Sequence, residues 1–204
     1  ATHAGLTVGE DGATHQANED IALMRAIPNM TVIVPADAME THQAVLWAAK
    51  HDGPVYLRLG RAAVDDIFDN DYRFDHGRMV TLHEGHDLTI MATGVMTGAA
   101  RRAAAELALI GISARVLNVH TIKPIDREAV RQAARETGAI ITCEEHSIMG
   151  GLGSAVAEAI VETHPVPMER VGVRDLFGES GVPDALLVKY NLTAADIVEA
   201  ARRV

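Results

Sequence analysis

The stretch "TVIVPADAMETHQAVLWAAKHDGPVYLRLG", Thr31 to Gly60, decides the fold class. Its opening "TVIVPA" (Thr31 to Ala36) is a short β-branched run, which reads as a buried strand. Asp37 then caps a helix, with Glu40 three residues on completing a capping box. That helix runs through Trp47 to about Lys50, and Gly53-Pro54 breaks the chain before a second strand, "VYLRLG" (Val55 to Gly60). Strand, helix and strand in this order form a βαβ unit, whose crossover implies parallel pairing.

Upstream, Thr14 to Ile27 carries Ala17, Ile21 and Met24 at helical spacing and predicts a helix ended by Pro28. Downstream, Arg61 to His76 is acidic, follows neither period and reads as a linker. A second alternation follows it. Strands are predicted at Leu88 to Met96, Ala114 to Val119, Ala139 to Glu144 and Met168 to Val173. Between and after them lie helices at Thr97 to Gly111, Asp126 to Thr137, Gly153 to Thr163, Pro183 to Tyr190 and Thr193 to Arg203. Asp126 and Thr193 are caps, and Gly138 closes its helix. The expectation is a complete small α/β domain from about Met79, preceded by part of another. The first region, with two strands, should be marginally ordered unless partnered, and its open strand edge should invite self-association.

Composition limits the function. With 204 residues, 48% apolar and 23% charged, the chain has the make-up of a globular protein with a sizeable core. The longest uncharged run, Leu88 to Ala100, is too short to span a bilayer, and no basic-then-apolar start marks a signal peptide. Cys143 is the only cysteine, so no intrachain disulfide exists and a reducing, cytoplasmic setting is expected. A net charge of −10 with 18 scattered Lys and Arg residues argues against nucleic-acid binding. The chain opens on Ala1, which reads as a fragment or a processed product.

The densest chemistry is "GEDGATHQANED", Gly9 to Asp20. Gly9 and Gly12 flank Glu10-Asp11, so the backbone can turn sharply and present both carboxylates. His15 lies four residues after Asp11, near the expected helix start, and His3 eight residues before it. Spacing alone admits two readings. One is a capped turn with solvated side chains. The other is a grip on a polyhydroxylated, phosphorylated small molecule, helped by the free N–H groups of a helix start. Elsewhere, "MGGLG" (Met149 to Gly153) has neither a complete dinucleotide fingerprint nor a Gly-Lys-Ser and reads as tight strand–helix packing. Cys143 reads as core, and His83 and His86 in "HEGH" as a solvated turn.

The stretch "THAGLTVGEDGATHQANEDIALMRAIPNMTVIVPAD" closely resembles the pyrimidine-binding domain of transketolases, whose signature is the "GEDG-THQ" run. "TIKPID" and "CEEHSIMGGLGSAVAE" resemble the C-terminal domain of the same family, especially the separately encoded C-terminal subunit of split transketolases. The likeness covers essentially the whole chain. Related pyruvate dehydrogenase beta subunits lack the Glu-Asp-Gly-x-Thr-His-Gln run, and deoxyxylulose phosphate synthases resemble "GADGPTHQ", with Ala where this chain has Glu10. Ala13 stands where transketolases usually have proline, a change that loosens the turn without removing a functional group.

The resemblance implies an α/β fold. Its first part would be a partial parallel-sheet pyrimidine domain of the thiamine-diphosphate-binding type (residues 1–61). A linker (62–78) and a three-layer αβα C-terminal domain (79–204) would follow. It implies that His3 and His15 contact a sugar substrate near the thiazolium, with His15 catalytic, that Asp11 reads a substrate hydroxyl, and that Arg61 binds the substrate phosphate. Arg58 is the nearby competitor, but alignment from Pro54 favours Arg61. A guanidinium suits phosphate, a carboxylate accepts hydroxyl hydrogen bonds, and a charged imidazole can stabilise a developing alkoxide. The implied reaction is transfer of a two-carbon ketol unit between sugar phosphates in the pentose phosphate pathway, carried out by thiamine diphosphate with Mg. The glutamate and aromatic pocket serving the aminopyrimidine precede this stretch in the family, and the diphosphate and metal bind another domain or chain. No cofactor or metal ligand is therefore expected here, and the isolated chain should be inactive. The implied partners are an N-terminal transketolase subunit or the missing N-terminal region, and a second copy in a homodimer, with neither nucleic acid nor membrane. Alternatives are the C-terminal part of a 1-deoxy-D-xylulose-5-phosphate synthase, discriminated by Glu10, and a non-catalytic dimerisation module.

Overall fold

The computed structural model describes residues 1–204. In its first region, helix α1 (Asp20–Ala26) leads to β1 (Thr31–Ile33), α2 (Ala38–Ala48) and β2 (Val55–Leu57). β1 and β2 pair in parallel, with Thr31 opposite Val55 and Ile33 opposite Leu57, as a βαβ unit requires. The second region runs β3 (Val80–His83), β4 (Leu88–Ala92), α3 (Met96–Leu109), β5 (Ala114–Asn118), β6 (Thr121–Lys123), α4 (Arg127–Thr137) and β7 (Ile140–Ser147). It continues through α5 (Leu152–Thr163), β8 (Met168–Val173), α6 (Pro183–Lys189) and α7 (Ala194–Ala201).

The main sheet has the order β3-β5-β4-β7-β8. β5, β4, β7 and β8 are mutually parallel, and β3 is an antiparallel edge. Alternation along β4 explains the three layers. Leu88, Ile90 and Ala92 point into a core shared with α3, α6 and α7, whereas Met91 points into the opposite core under α4 and α5. A strand covered on both faces alternates between two cores, so β4 is buried along its whole length, Thr89 included. In the second region the cap signals hold where they were read. The Asp126 carboxylate accepts from the Ala129 N–H, Gly138 ends α4 in the left-handed region, and Thr193 with Asp196 forms a capping box.

Four local expectations need correction. The helix expected over Thr14 to Ile27 begins only at Asp20, and His15 lies in a turn. Ala17 is instead in a parallel bridge with Ala4, its carbonyl accepting from the Gly5 N–H (2.9 Å), and this extended geometry excludes a helix there. The capping box at α2 is half formed. Asp37 accepts from the Glu40 N–H (2.8 Å), but the Glu40 carboxylate turns back to the Ala36 N–H (2.7 Å). Two strands were not anticipated, β3 and β6, each too short to show a period. β6 matters for architecture, because it pairs antiparallel with β1 and covers one side of the β1–β2 pair, leaving β2 and β6 as the edges of a three-stranded sheet. Val32 and Val34 likewise enter the core under α4 and α5, so the first region borrows apolar cover from the second. The segment between β2 and β3 has no helix or strand, yet it is tied down: Asp37 accepts from the N–H groups of Ile67 and Phe68, and the Tyr72 hydroxyl donates to Glu40.

Candidate functional site

The bridge between Ala4 and Ala17 pinches off a loop that contains two of the four expected site residues, Asp11 and His15. Inside it, Leu6–Asp11 forms a tight helical turn kinked at Gly9, whose φ of 81 suits glycine. The Gly12 N–H donates to the Gly9 carbonyl, and the His15 N–H to the Gly12 carbonyl. Leu6 to Gly9 are buried, and Glu10, Asp11 and Thr14 to His15 form an exposed rim. His3 lies exposed at the loop's entry. The Nδ1 atoms of His3 and His15 lie 3.2 and 3.0 Å from the hydroxyls of Thr2 and Thr14.

Arg61 reaches this rim from beyond β2. Its Nη1 donates to Asp11 Oδ2 at 2.5 Å and lies 3.4 Å from the Val8 carbonyl oxygen. The pair is 48% and 40% exposed, so solvent screens it and it opens at little cost. Arg58, the competitor, faces inward. It is 5% exposed, and its Nε donates to both Asp20 oxygens at 2.8 and 3.1 Å. Its Nη2 donates to the carbonyls of Ala17 (2.9 Å) and Glu145 (3.0 Å). Arg61 is thus the arginine available to a ligand at the rim, and Arg58 is a structural clamp.

Sequence reading missed the groups beneath the loop. Glu145, at the end of β7, is buried, and its Oε1 accepts from the Thr7 N–H. Burial pushes its carboxyl up to about 7, against the pull of the Arg58 charge and the Thr7 hydrogen bond. Burial also presses the Asp20 carboxyl upward, but the Arg58 charge and hydrogen bonds, with the Tyr56 hydroxyl at 2.7 Å, outweigh it and hold Asp20 below its ordinary value. Gln16 is the second anchor, its Nε2 lying 3.1, 3.2 and 2.9 Å from the carbonyl oxygens of Leu6, Gly9 and Glu179. Only the polar type of these residues was visible in sequence; the bonds from Glu145 to Thr7 and from Gln16 to Glu179 join positions 138 and 163 apart.

Thr7, Arg58 and Glu145 also line a cavity of about 560 Å3 between the two regions, with Pro35, Ala38 and Gly94 opposite. No Phe, Tyr or Trp lines it, and no group of three His, Cys, Asp or Glu side chains is placed to hold a metal ion. The donor set of this chain does not fit a diphosphate–metal cradle. At "MGGLG" the N-terminus of α5 is filled by Glu144, which accepts from the N–H groups of Leu152 (2.7 Å) and Gly153 (2.9 Å). That arrangement is packing, as expected. Cys143 is buried, and burial raises its thiol far from reactivity. His86 lies exposed in a bend, as expected, but His83 is the last residue of β3, with its Nδ1 3.0 Å from the Ala114 carbonyl oxygen, so the solvated-turn reading holds only for His86.

The transketolase pyrimidine-binding domain model matches residues 1–66, and the transketolase C-terminal domain model matches residues 77–197. The chain belongs to the transketolase family. A solved structure described as a split gene transketolase, inactive beta4 tetramer, is 54% identical, with a TM-score of 0.93 over 100% of this chain and 65% of that one. A 6-deoxy-6-sulfo-D-fructose transketolase subunit of Clostridium sp. is 50% identical over 98% of this chain and 62% of its own length. An apulose-4-phosphate transketolase subunit of Phocaeicola vulgatus is 43% identical over 97% of this chain and 63% of its own. A 1-deoxy-D-xylulose-5-phosphate synthase of Desulforudis audaxviator is 38% identical over 98% of this chain, but only 32% of that protein is covered. The chain therefore spans under two thirds of the length of these transketolase relatives. Its fold is the mixed α/β, parallel-sheet arrangement expected of the family. No helix in it is long and apolar enough to cross a membrane.

Proposed function

We propose that this chain acts as the C-terminal section of a transketolase, supplying the substrate-gripping loop of an enzyme that moves a two-carbon ketol unit between sugar phosphates. The observation that carries the reading is the placement of Arg61 against Asp11 on an exposed rim shared with His15. A phosphate entering this rim meets a guanidinium held by a screened ion pair and a long contact to the Val8 carbonyl, and can displace or share it. Asp11 is then free to accept hydrogen bonds from a substrate hydroxyl. His15, with His3 at the loop entry, offers imidazole N–H groups to the reacting end of the sugar, and His15 is the residue that stabilises the developing alkoxide. The names of two relatives point the same way: a sulfonated sugar and a sugar phosphate both carry a terminal anion.

Thiamine diphosphate supplies the carbanion chemistry in this reading, and it and its Mg are held by an N-terminal subunit or section. The catalytic assembly contains two or more copies of each part and works in the cytoplasm, in the pentose phosphate pathway. The test is reconstitution with the N-terminal part. Arg61→Ala should weaken phosphorylated sugars by about 10- to 100-fold and spare unphosphorylated ones, the loss expected of a hydrogen bond to a charged group. Asp11→Ala should discriminate by hydroxyl configuration instead. Equal losses for every sugar in both variants overturn the assignment.

A further inference from the structure

The loop that bears Asp11 and His15 does not hold itself together. It is short of regular structure, contains three glycines at positive φ (Gly5, Gly9 and Gly12), and keeps its shape by contacts to residues far away in the chain. Three buried polar side chains make those contacts. Glu145 takes the Thr7 N–H, at the start of the turn that ends at Asp11. Arg58 takes the Ala17 carbonyl at the loop's exit and also binds the Glu145 carbonyl, so one guanidinium joins the exit to the end of β7. Gln16 spans the interior of the loop and ties it to Glu179, in the segment before α6.

Packing around these groups leaves no slack. A Cβ on Gly5 would lie 2.3 Å from the Glu145 carboxyl carbon, and one on Gly178 would lie 1.8 Å from Gln16 Oε1. Both glycines are small so that a buried polar group can approach the backbone. A carboxylate taken out of water is costly unless its partners require it. A hydrophobic side chain could fill the space under Thr7 but could not accept its N–H.

We propose that Glu145 and Gln16, with Arg58, are positioning residues for the reaction: they act through the Thr7 N–H and the Leu6, Gly9 and Ala17 carbonyls to hold Asp11 and His15 in register with Arg61. On this view the C-terminal region, through β7 and residues 178–181, is the floor of the substrate loop. The inference rests on the substrate-loop reading above.

The test uses the chain assembled with its N-terminal part for kinetics, and the chain itself for hydrogen–deuterium exchange. Glu145→Ala should raise the KM for the sugar phosphate about tenfold or more and lower kcat as well, because Asp11 and His15 are displaced together, while changing thiamine diphosphate affinity little. It should also speed exchange at the amides of Thr7 to Asp11. Glu145→Gln, which keeps an acceptor at Oε1, should restore both toward the original. Unchanged KM and exchange in Glu145→Ala, or equal damage in Glu145→Gln, overturn the proposal. Should Glu145→Ala fail to fold, Gln16→Leu decides: a raised KM with faster exchange over Leu6 to Gly12 supports positioning, and wild-type values refute it. Arg61→Ala and Asp11→Ala run alongside. If these two leave KM unchanged, the substrate-loop reading has failed; if they raise it while the Glu145 and Gln16 variants do not, only the positioning role has failed.

Discussion

Glu40 gives the sharpest quantitative prediction. It is fully buried at the first turn of α2, where its carboxylate receives the Ala36 N–H at 2.7 Å, the Asn118 amide at 2.8 and 3.1 Å, and the Tyr72 hydroxyl. Those donors favour the charged form, but burial dominates and pushes the carboxyl from 4.5 to about 7. The folded state therefore holds the proton more tightly than the unfolded chain does. Stability from this group is full below the unfolded value, falls as pH rises from about 4.5 to 7, and is flat above. A shift of that size corresponds to about 3 kcal/mol in all, or at most about 1.4 kcal/mol per pH unit. Glu40→Gln removes the titration and mimics the protonated acid, because the Tyr72 hydroxyl can turn to accept from the new amide. The difference in unfolding free energy, Glu40→Gln minus wild type, should thus rise by about 3 kcal/mol between pH 4.5 and 7.5. Glu145 adds a slope of the same sign to both proteins. His120 adds one of opposite sign, since burial lowers it to about 4 and stability is lost as pH falls from 6.5 to that value. Both terms cancel in the difference. Urea unfolding followed by Trp47 fluorescence reads it, with midpoints used because Trp47 stacks on His51 and His76. Parallel pH curves for the two proteins would refute the reasoning.

Other outcomes are expected from the same structure. Gly151→Ala puts a Cβ 2.0 Å from Glu144 Oε2, so the cap of α5 must move and thermal unfolding should come several degrees lower; an unchanged Tm contradicts the packing account. Limited proteolysis should cut first in the exposed stretch Arg61 to Asp66, yet the two pieces should co-elute under native conditions, because β6 pairs with β1 and the core under α4 and α5 is common to both. Separate elution would show that this shared core is too weak to matter. Calorimetry of the isolated chain with thiamine diphosphate and Mg should find no micromolar binding, since its donor set offers no cradle for them; a micromolar site would overturn that.

Most of the fold was legible because its signals are local. β-branched runs, Asp and Thr caps and a glycine in the left-handed position each act within a few residues, and they mark α4, β8 and α7 closely, whereas β4, expected to Met96, ends at Ala92. Signals that compete locally were misread. Ala17, Ile21 and Met24 have helical spacing, but the bridge to Ala4 takes Ala17 out of the helix, and only a contact between distant segments imposes that.

The candidate site divides in the same way. His3, Asp11, His15 and Arg61 were named as candidates from sequence through the family resemblance, because they sit in a recognisable run or follow a strand at fixed distance. By itself the sequence determined the α/β class, the βαβ unit at Thr31 to Gly60, the family and these exposed rim residues, all properties carried by short-range pattern. The tertiary structure alone decided that Arg58 faces inward and Arg61 outward, that β6 joins the first sheet beside β1, and that Glu145 and Gln16 underlie the loop. The physical reason is that buried polar groups need specific partners, and those partners, such as Thr7 for Glu145 and Glu179 for Gln16, are brought within reach only when the whole chain packs.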